Sequence, residues 1–334
     1  MISTRREIMQ AISAAFTLPK WARAAGPNSV FGGVHIGVIA PYSFRGLPGS
    51  AEDILKYLVE LGISTVELQS QPVETYAGAP SIGGPMGPPP GGRPPGAPKP
   101  GGAAAGAPQR PPLTPEQQEA RRKAMEELWK WRLSAPMDKF RALRRLYNDA
   151  GVTINAFKLE LSPNMSAEQC AYVFNVARAL GATHVTMELS LDPAVTKAIG
   201  EMAERHRFYV AYHNHTQVKA DSWDTALSQS SYNGINLDVG HYVAATGESP
   251  IPLIRKYHGR ILSLHLKDRK TPANGAANVA WGQGDTPLKE ILQLMKREKY
   301  RFPANIELEY PVPAGSTVMA EIARCVEFAR QALS

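Results

Sequence analysis

At 334 residues, 43% hydrophobic and 20% charged, the chain has enough apolar material for a packed core, which excludes wholesale disorder. No apolar run approaches the ~20 residues of a membrane-spanning helix, and two cysteines are too few for a disulfide scaffold. The formal charge of +7 is unevenly spread: residues 1–24 and 78–112 each contribute +3, which leaves +1 for everything else. So even a balance argues against a phosphate-tracking surface, and neither a nucleic-acid nor a membrane partner is expected.

The chain opens with Thr4-Arg5-Arg6-Glu7-Ile8-Met9-Gln10, a weakly apolar stretch to Pro19, then Ala22-Arg23-Ala24. Twin arginines, a mild apolar segment and a small-x-small site resemble a twin-arginine export signal over residues 1–24, predicting a periplasmic or otherwise exported protein. Such export occurs folded, which suits a protein that takes up its metal first. An amphipathic first helix is the competing reading, disfavoured by Pro19 and the Ala-x-Ala site. A β-branched run at 34–39, a helical window at 51–61 and a second run at 65–69 follow. Residues 78–112 are almost entirely Gly, Pro and Ala, a composition that cannot repay its own ordering entropy; it predicts a flexible insert after the second strand.

Helical windows then alternate with strands: 115–148, strand 152–158, helix 167–180, strand 184–189, helix 193–206, strand 208–213, a short segment 222–228, strand 235–238, helix 250–258, strand 261–267, helix 287–296, strand 305–309 and helix 317–333. Thr114-Pro115-Glu116 and Ser166-Ala167-Glu168 are capping signals. With signal and insert set aside, roughly 275 residues remain, near the ~250 typical of one barrel domain. Eight strand–helix units predict an α/β fold, a single (β/α)8 TIM barrel over residues 30–334, with an open doubly wound sheet as runner-up. Cys170 and Cys325 fall on the third and eighth helices of that ring, too far round to pair, so two separate buried thiols are expected.

Barrel strands turn their apolar phase to the helices and the opposite phase to the interior. The interior phase reads Thr65, Glu67 and Gln69; Thr186 and Glu188; His213 and His215; Asn236 and Asp238; Ser263, His265 and Lys267; Glu307 and Glu309. Five successive strands therefore end in a carboxylate or imidazole. Gathered at one mouth, such groups would repel one another without a cation. Glu188, Asp238, His265 and Glu309 form the expected ligand set, oxygen-rich enough to favour a divalent ion in the order Mn2+ first, then Mg2+, Co2+ or Zn2+. His213 rivals Glu188 and Glu307 rivals Glu309, since each shares its rival's phase. Glu188 as a rim salt bridge and His215 as a hydrogen-bonded core imidazole are the bland alternatives.

The motifs Tyr212-His213-Asn214-His215, Leu237-Asp238-Val239-Gly240-His241, His265-Leu266-Lys267-Asp268 and Glu307-Leu308-Glu309-Tyr310, in that order at strand ends, resemble the sugar phosphate isomerase/epimerase group of xylose isomerase-like barrels, kin to inosose dehydratase and D-tagatose epimerase. Trp281-Gly282-Gln283-Gly284-Asp285 and Val66-Glu67-Leu68 fit the same group. The resemblance runs from residue 34 to 330 apart from the insert. It implies metal ligands at Asp238, His265, Glu309 and one upstream residue. Many members have Glu where His213 stands, so the fourth ligand lies between Glu188 and His213. It also implies that His241 bonds a substrate hydroxyl, with His213 beside it if not a ligand.

The chemistry such a site supports is proton removal from carbon next to a carbonyl, with the ion stabilising an enediolate. Glu188 and Glu309 are the expected proton carriers, and Lys267 and His215 the expected stabilisers of the oxyanion. A metal-dependent isomerase or epimerase acting on a keto sugar is thus expected. A lyase, dehydratase or hydrolase on a 3-keto glycoside or cyclitol is the alternative, ahead of an AP-endonuclease-type nuclease and a non-catalytic sugar-binding protein. The partner is a small carbohydrate, and self-association into a homo-oligomer stays open.

Overall fold

The computed structural model describes residues 26–80 and 114–334; the signal-like segment and all but the start of the Pro/Gly-rich stretch lie outside them. Eight parallel strands close on themselves: β1 (Val34–Ala40), β2 (Thr65–Gln69), β3 (Thr153–Lys158), β4 (His184–Glu188), β5 (Tyr209–His213), β6 (Asn233–Asp238), β7 (Ile261–Leu266) and β8 (Ala304–Ile306). Each pairs with its neighbours in sequence, and β8 returns to β1 through Ile306↔Val38. This is the (β/α)8 barrel expected from the alternation. Val66, Leu68, Val185, Val210, Ile235, Leu237, Leu264 and Ile306 are buried against the helices, the outward half of that alternation.

The interior is polar rather than aliphatic. Thr65, Glu67, His184, Thr186, Asn236, Ser263 and Asn305 are all buried and bond across the barrel. Asn305, for example, exchanges hydrogen bonds with Asn155 and donates to Glu67 Oε2. Gly37 is required opposite Asn305, because a Cβ there would come within 2.2 Å of its side-chain oxygen.

The surrounding helices are α1 (Ala51–Glu60), α2 (Ser70–Ala77), α3 (Pro115–Ser134), α4 (Met137–Asp149), α5 (Ala167–Leu180), α6 (Pro193–His206), α7 (Asp224–Gln229), α8 (Val239–Thr246), α9 (Ile251–Tyr257), α10 (Leu288–Glu298) and α11 (Val318–Leu333). Thr114 and Ser166 each close a capping box, worth about 1 kcal/mol apiece. The window 115–148 is two helices and not one: the residue before a proline is forced out of the helical region, and Ala135, before Pro136, is extended at ψ 131. Helix α2 was not anticipated. It follows β2 directly and tolerates Pro72 in its first turn, where backbone N–H groups have no intrahelical partner.

Glu74 of α2 is buried and clasped by Arg132 of α3 through Nε–Oε1 at 2.8 Å and Nη2–Oε2 at 3.0 Å, while the Tyr172 hydroxyl of α5 donates to Oε1 at 2.8 Å. This clasp holds the otherwise highly charged α3 against the barrel wall. Cys170 and Cys325 are separate buried thiols, as expected. Among the described residues no helix is long and apolar enough to cross a membrane.

Candidate active site at the C-terminal mouth of the barrel

Parallel register levels the polar residues at one end. Glu188 pairs with His213 across β4 and β5, and Asp238 with His265 across β6 and β7. A bulge between Ile235 and Asn236 shifts β6 against β7, the kind of irregularity that re-aims side chains near a site.

The lowest layer centres on His265. Its Nε2 lies 2.7 Å from Glu67 Oε2 and its Nδ1 2.8 Å from Glu307 Oε2. Burial opposes a charge on this ring, yet the two carboxylates overcome it and lift the imidazole to about 10. Glu67 is itself held near 2, because His265 outweighs the cost of burial, and it accepts from Thr186 Oγ1 at 2.6 Å. His213 is buried too, its Nδ1 2.8 Å from Asn236 Oδ1 and its Nε2 3.9 Å from Asp238 Oδ2.

Asp238 ends β6 and caps α8, its Oδ1 accepting from His241 N at 2.7 Å. Asn214 fixes its backbone from the other side, accepting from Asp238 N and donating to Asp238 O. Asp238 Oδ2 is buried and takes no hydrogen bond of acceptable geometry. It faces the Lys267 ammonium at 2.9 Å.

Lys267 is the hub of the next layer. Its Nζ lies 2.9 Å from Asp238 Oδ2, 2.9 Å from Glu307 Oε1, 2.6 Å from Glu309 Oε2 and 3.0 Å from His241 Nε2. Burial disfavours its charge, but these carboxylates hold it well above the ordinary lysine range. Glu309 accepts in addition from the Tyr42 hydroxyl at 2.8 Å.

Across the barrel, Glu188 pairs with Lys158 Nζ at 3.0 Å and with His215 Nε2 at 2.7 Å, and its N–H donates to Glu160. His215 Nδ1 then lies 3.3 Å from His241 Nε2, so imidazoles link the two walls. Directly after Lys267, buried Asp268 accepts from the backbone N–H groups of Gly282, Gly284 and Thr286. That anchor accounts for Gly284, whose Cβ would fall 1.8 Å from Asp268 Oδ1.

The side chains able to share one ion are His213, Asp238, His265 and Glu307, which each present one donor atom within 4.8 Å of the others. Of the four expected ligands this group contains Asp238 and His265. Glu188 is spent on Lys158 and His215 at the rim, and Glu309, two residues beyond Glu307, on Lys267 and Tyr42. His213, His215 and His241 form a second group of the same tightness. Glu67, Tyr42 and Lys158 were absent from the expected site. Glu67 does share the inward phase of β2, whereas Tyr42 sits in a 3-10 turn after β1 with no motif around it.

A (β/α)8 barrel whose polar groups converge at the C-terminal mouth has the architecture of barrel enzymes. The family model described as a xylose isomerase-like TIM barrel matches residues 104–327. The chain belongs to the xylose isomerase-like TIM-barrel family, as the strand-end motifs suggested.

Inosose dehydratase of Clostridium beijerinckii is 29% identical over 126 residues, 36% of each chain; the match thus spans about a third of that relative's length. Among solved structures, the probable 3-DHS dehydratase AsbF of Bacillus anthracis, involved in petrobactin synthesis, superposes with a TM-score of 0.56 at 14% identity, covering 88% of this chain and 99% of its own. D-psicose 3-epimerase of Clostridium cellulolyticum, solved with D-tagatose, gives 0.53 at 12% identity over 90% and 100%.

Proposed function

We propose that the protein is a divalent-metal-dependent isomerase or epimerase that moves a proton at carbon next to the carbonyl of a sugar or related polyol. The carrying observation is the donor group His213, Asp238, His265 and Glu307 lying between two further carboxylates, Glu188 and Glu309, on strand ends half a barrel apart. The donor set fits a hard divalent ion with imidazole in its sphere, Mn2+ first. Asp238 Oδ2, buried and without a well-formed hydrogen bond, is an oxygen such an ion would satisfy. When bound, the ion supplies Lewis-acid polarisation of the substrate carbonyl.

The chain's own groups supply the rest. Glu188 and Glu309 approach a substrate from opposite walls, so one can take the proton at carbon while the other returns it. Lys267, beside Glu309, and His215, beside Glu188, stand where a developing oxyanion gains from a donor, and His241 between them can hold a hydroxyl. Asp268, next in sequence to Lys267, anchors the 282–286 loop through three backbone N–H groups.

The second reading is a dehydratase, favoured by inosose dehydratase and 3-DHS dehydratase among the similar proteins and by the same first step. Deuterium wash-in from solvent, run on metal-loaded protein with a panel of keto sugars and cyclitols, separates the two. Label at the α carbon with the carbon skeleton and hydroxyls intact supports isomerisation or epimerisation; loss of water supports the dehydratase. No exchange with any substrate in the presence of bound metal sinks both. Action after export is a further part of this reading, resting on the twin-arginine pattern, and cell fractionation of the tagged full chain tests it.

A further inference from the structure

Lys267 occupies an unusual position for a residue that only steadies an oxyanion. Its ammonium lies 2.9 Å from both Asp238 Oδ2 and Glu307 Oε1, and these residues provide two of the four donors that lie within 4.8 Å of one another. The side chain is almost fully buried, so water does not screen it from either oxygen. Gly240 permits the approach, since a Cβ there would fall 2.4 Å from Lys267 Cγ. The ammonium also has a second set of partners, Glu309 Oε2 at 2.6 Å and His241 Nε2 at 3.0 Å, neither of which belongs to the group of four.

We infer that Lys267 is a built-in counter-ion that competes with the divalent metal for Asp238 and Glu307, holding the empty donor set together and yielding to the ion by falling back on Glu309 and His241. This rests on the metal reading above and adds to it: the affinity of the site is set by a lysine as well as by the ligands. Three carboxylates around one ammonium keep the site assembled without metal. Two cations on the same pair of carboxylates repel, which weakens metal binding. Glu309 acts through Lys267, by giving the ammonium somewhere to go.

The test is titration of the chelator-stripped full chain with MnCl2 by calorimetry, together with thermal melts with and without the ion. Lys267→Met is expected to bind Mn2+ about tenfold more tightly or better, while its stripped form melts lower than the stripped wild type. A purely structural lysine would lower both affinity and stability, so the opposite signs are diagnostic.

Glu309→Gln is expected to weaken Mn2+ binding in the wild-type background and to have no effect on it in the Lys267→Met background. Equal weakening in both backgrounds would make Glu309 a direct ligand and overturn the inference. So would unchanged or weaker Mn2+ binding by folded Lys267→Met. Should the methionine variant not fold, Lys267→Gln carries the same expectation, and Glu309→Gln alone still decides: no weakening overturns the inference. If neither wild type nor variant binds Mn2+, Mg2+, Co2+ or Zn2+, the metal reading itself falls; wild-type binding without a gain on removing the lysine sinks this inference alone.

Discussion

Two buried clusters of opposite charges sit at different places in the barrel, and their bookkeeping differs. Behind the strands, Glu74 meets Arg132 one to one, with two parallel contacts and a tyrosine hydroxyl for the remaining lone pair. In the mouth, one ammonium is shared among Asp238, Glu307 and Glu309, and one imidazole between Glu67 and Glu307. The first arrangement is complete in itself. The second leaves carboxylates under-served in a place where unpaired charge is costly. A fold keeps such a cluster where a further cation or a reaction uses it, which separates a clasp from a working site more sharply than burial does, since both are buried.

The largest effect that would break this contrast is expected at the mouth. Asp238→Asn keeps the cap on α8, because asparagine also accepts from a backbone N–H, but removes a charged donor. Turnover should fall by about a thousandfold or more, with bound manganese lost in elemental analysis and the circular dichroism spectrum unchanged. Full activity with bound metal in this variant would dissolve the distinction.

The clasp should answer in stability instead. Arg132→Met leaves Glu74 buried and unpaired, at a cost of about 3–5 kcal/mol in chemical denaturation, with turnover per folded molecule unaltered. Adding Glu74→Gln should recover much of that loss, because the penalty belongs to the stranded charge rather than to the lost pair. Glu188→Gln sharpens the comparison within the mouth. As a proton carrier outside the group of four, it should lose about 100- to 10,000-fold in kcat while Mn2+ affinity holds within a few fold.

The contrast was half legible in the sequence. Period-two alternation displays much of the inward face, so Glu67, His213, Asp238, His265, Lys267, Glu307 and Glu309 are all visible, while Asn155, at a register shift between its strand and β2, is not. Phase cannot give depth along a strand, however. Residues two apart share a face, and which of them stands level with a neighbour's donor depends on strand stagger and bulges. That is why the expected set placed Glu309 ahead of Glu307 and Glu188 ahead of His213, whereas the structure groups Glu307 and His213 with Asp238 and His265. Contacts such as His265 with Glu67, remote in sequence, depend on closure of the ring. The clasp was invisible for another reason: α2 has little amphipathic pattern, and Arg132 reads as one more charge on a highly charged helix. Helix α8 escaped because it is buried on nearly every side, which removes the polar face that marks a helix.

The smallest expected effect comes from making the same change in both clusters. Tyr172 and Tyr42 each donate a hydroxyl to a carboxylate, Glu74 Oε1 and Glu309 Oε1 respectively, at 2.8 Å in both cases. Tyr172→Phe removes one acceptor's partner from a closed arrangement and should cost about 1 kcal/mol of stability, with no kinetic change. Tyr42→Phe removes the bond from a carboxylate that also holds Lys267, in a mouth whose groups must serve substrate. Its cost should therefore be read in kcat/KM, a loss of about three- to tenfold, with a melting temperature close to wild type. Denaturation curves and initial rates on both variants check the pair. If both phenylalanine variants lost stability alone, or rate alone, the two clusters would be the same kind of object despite their different charge sharing.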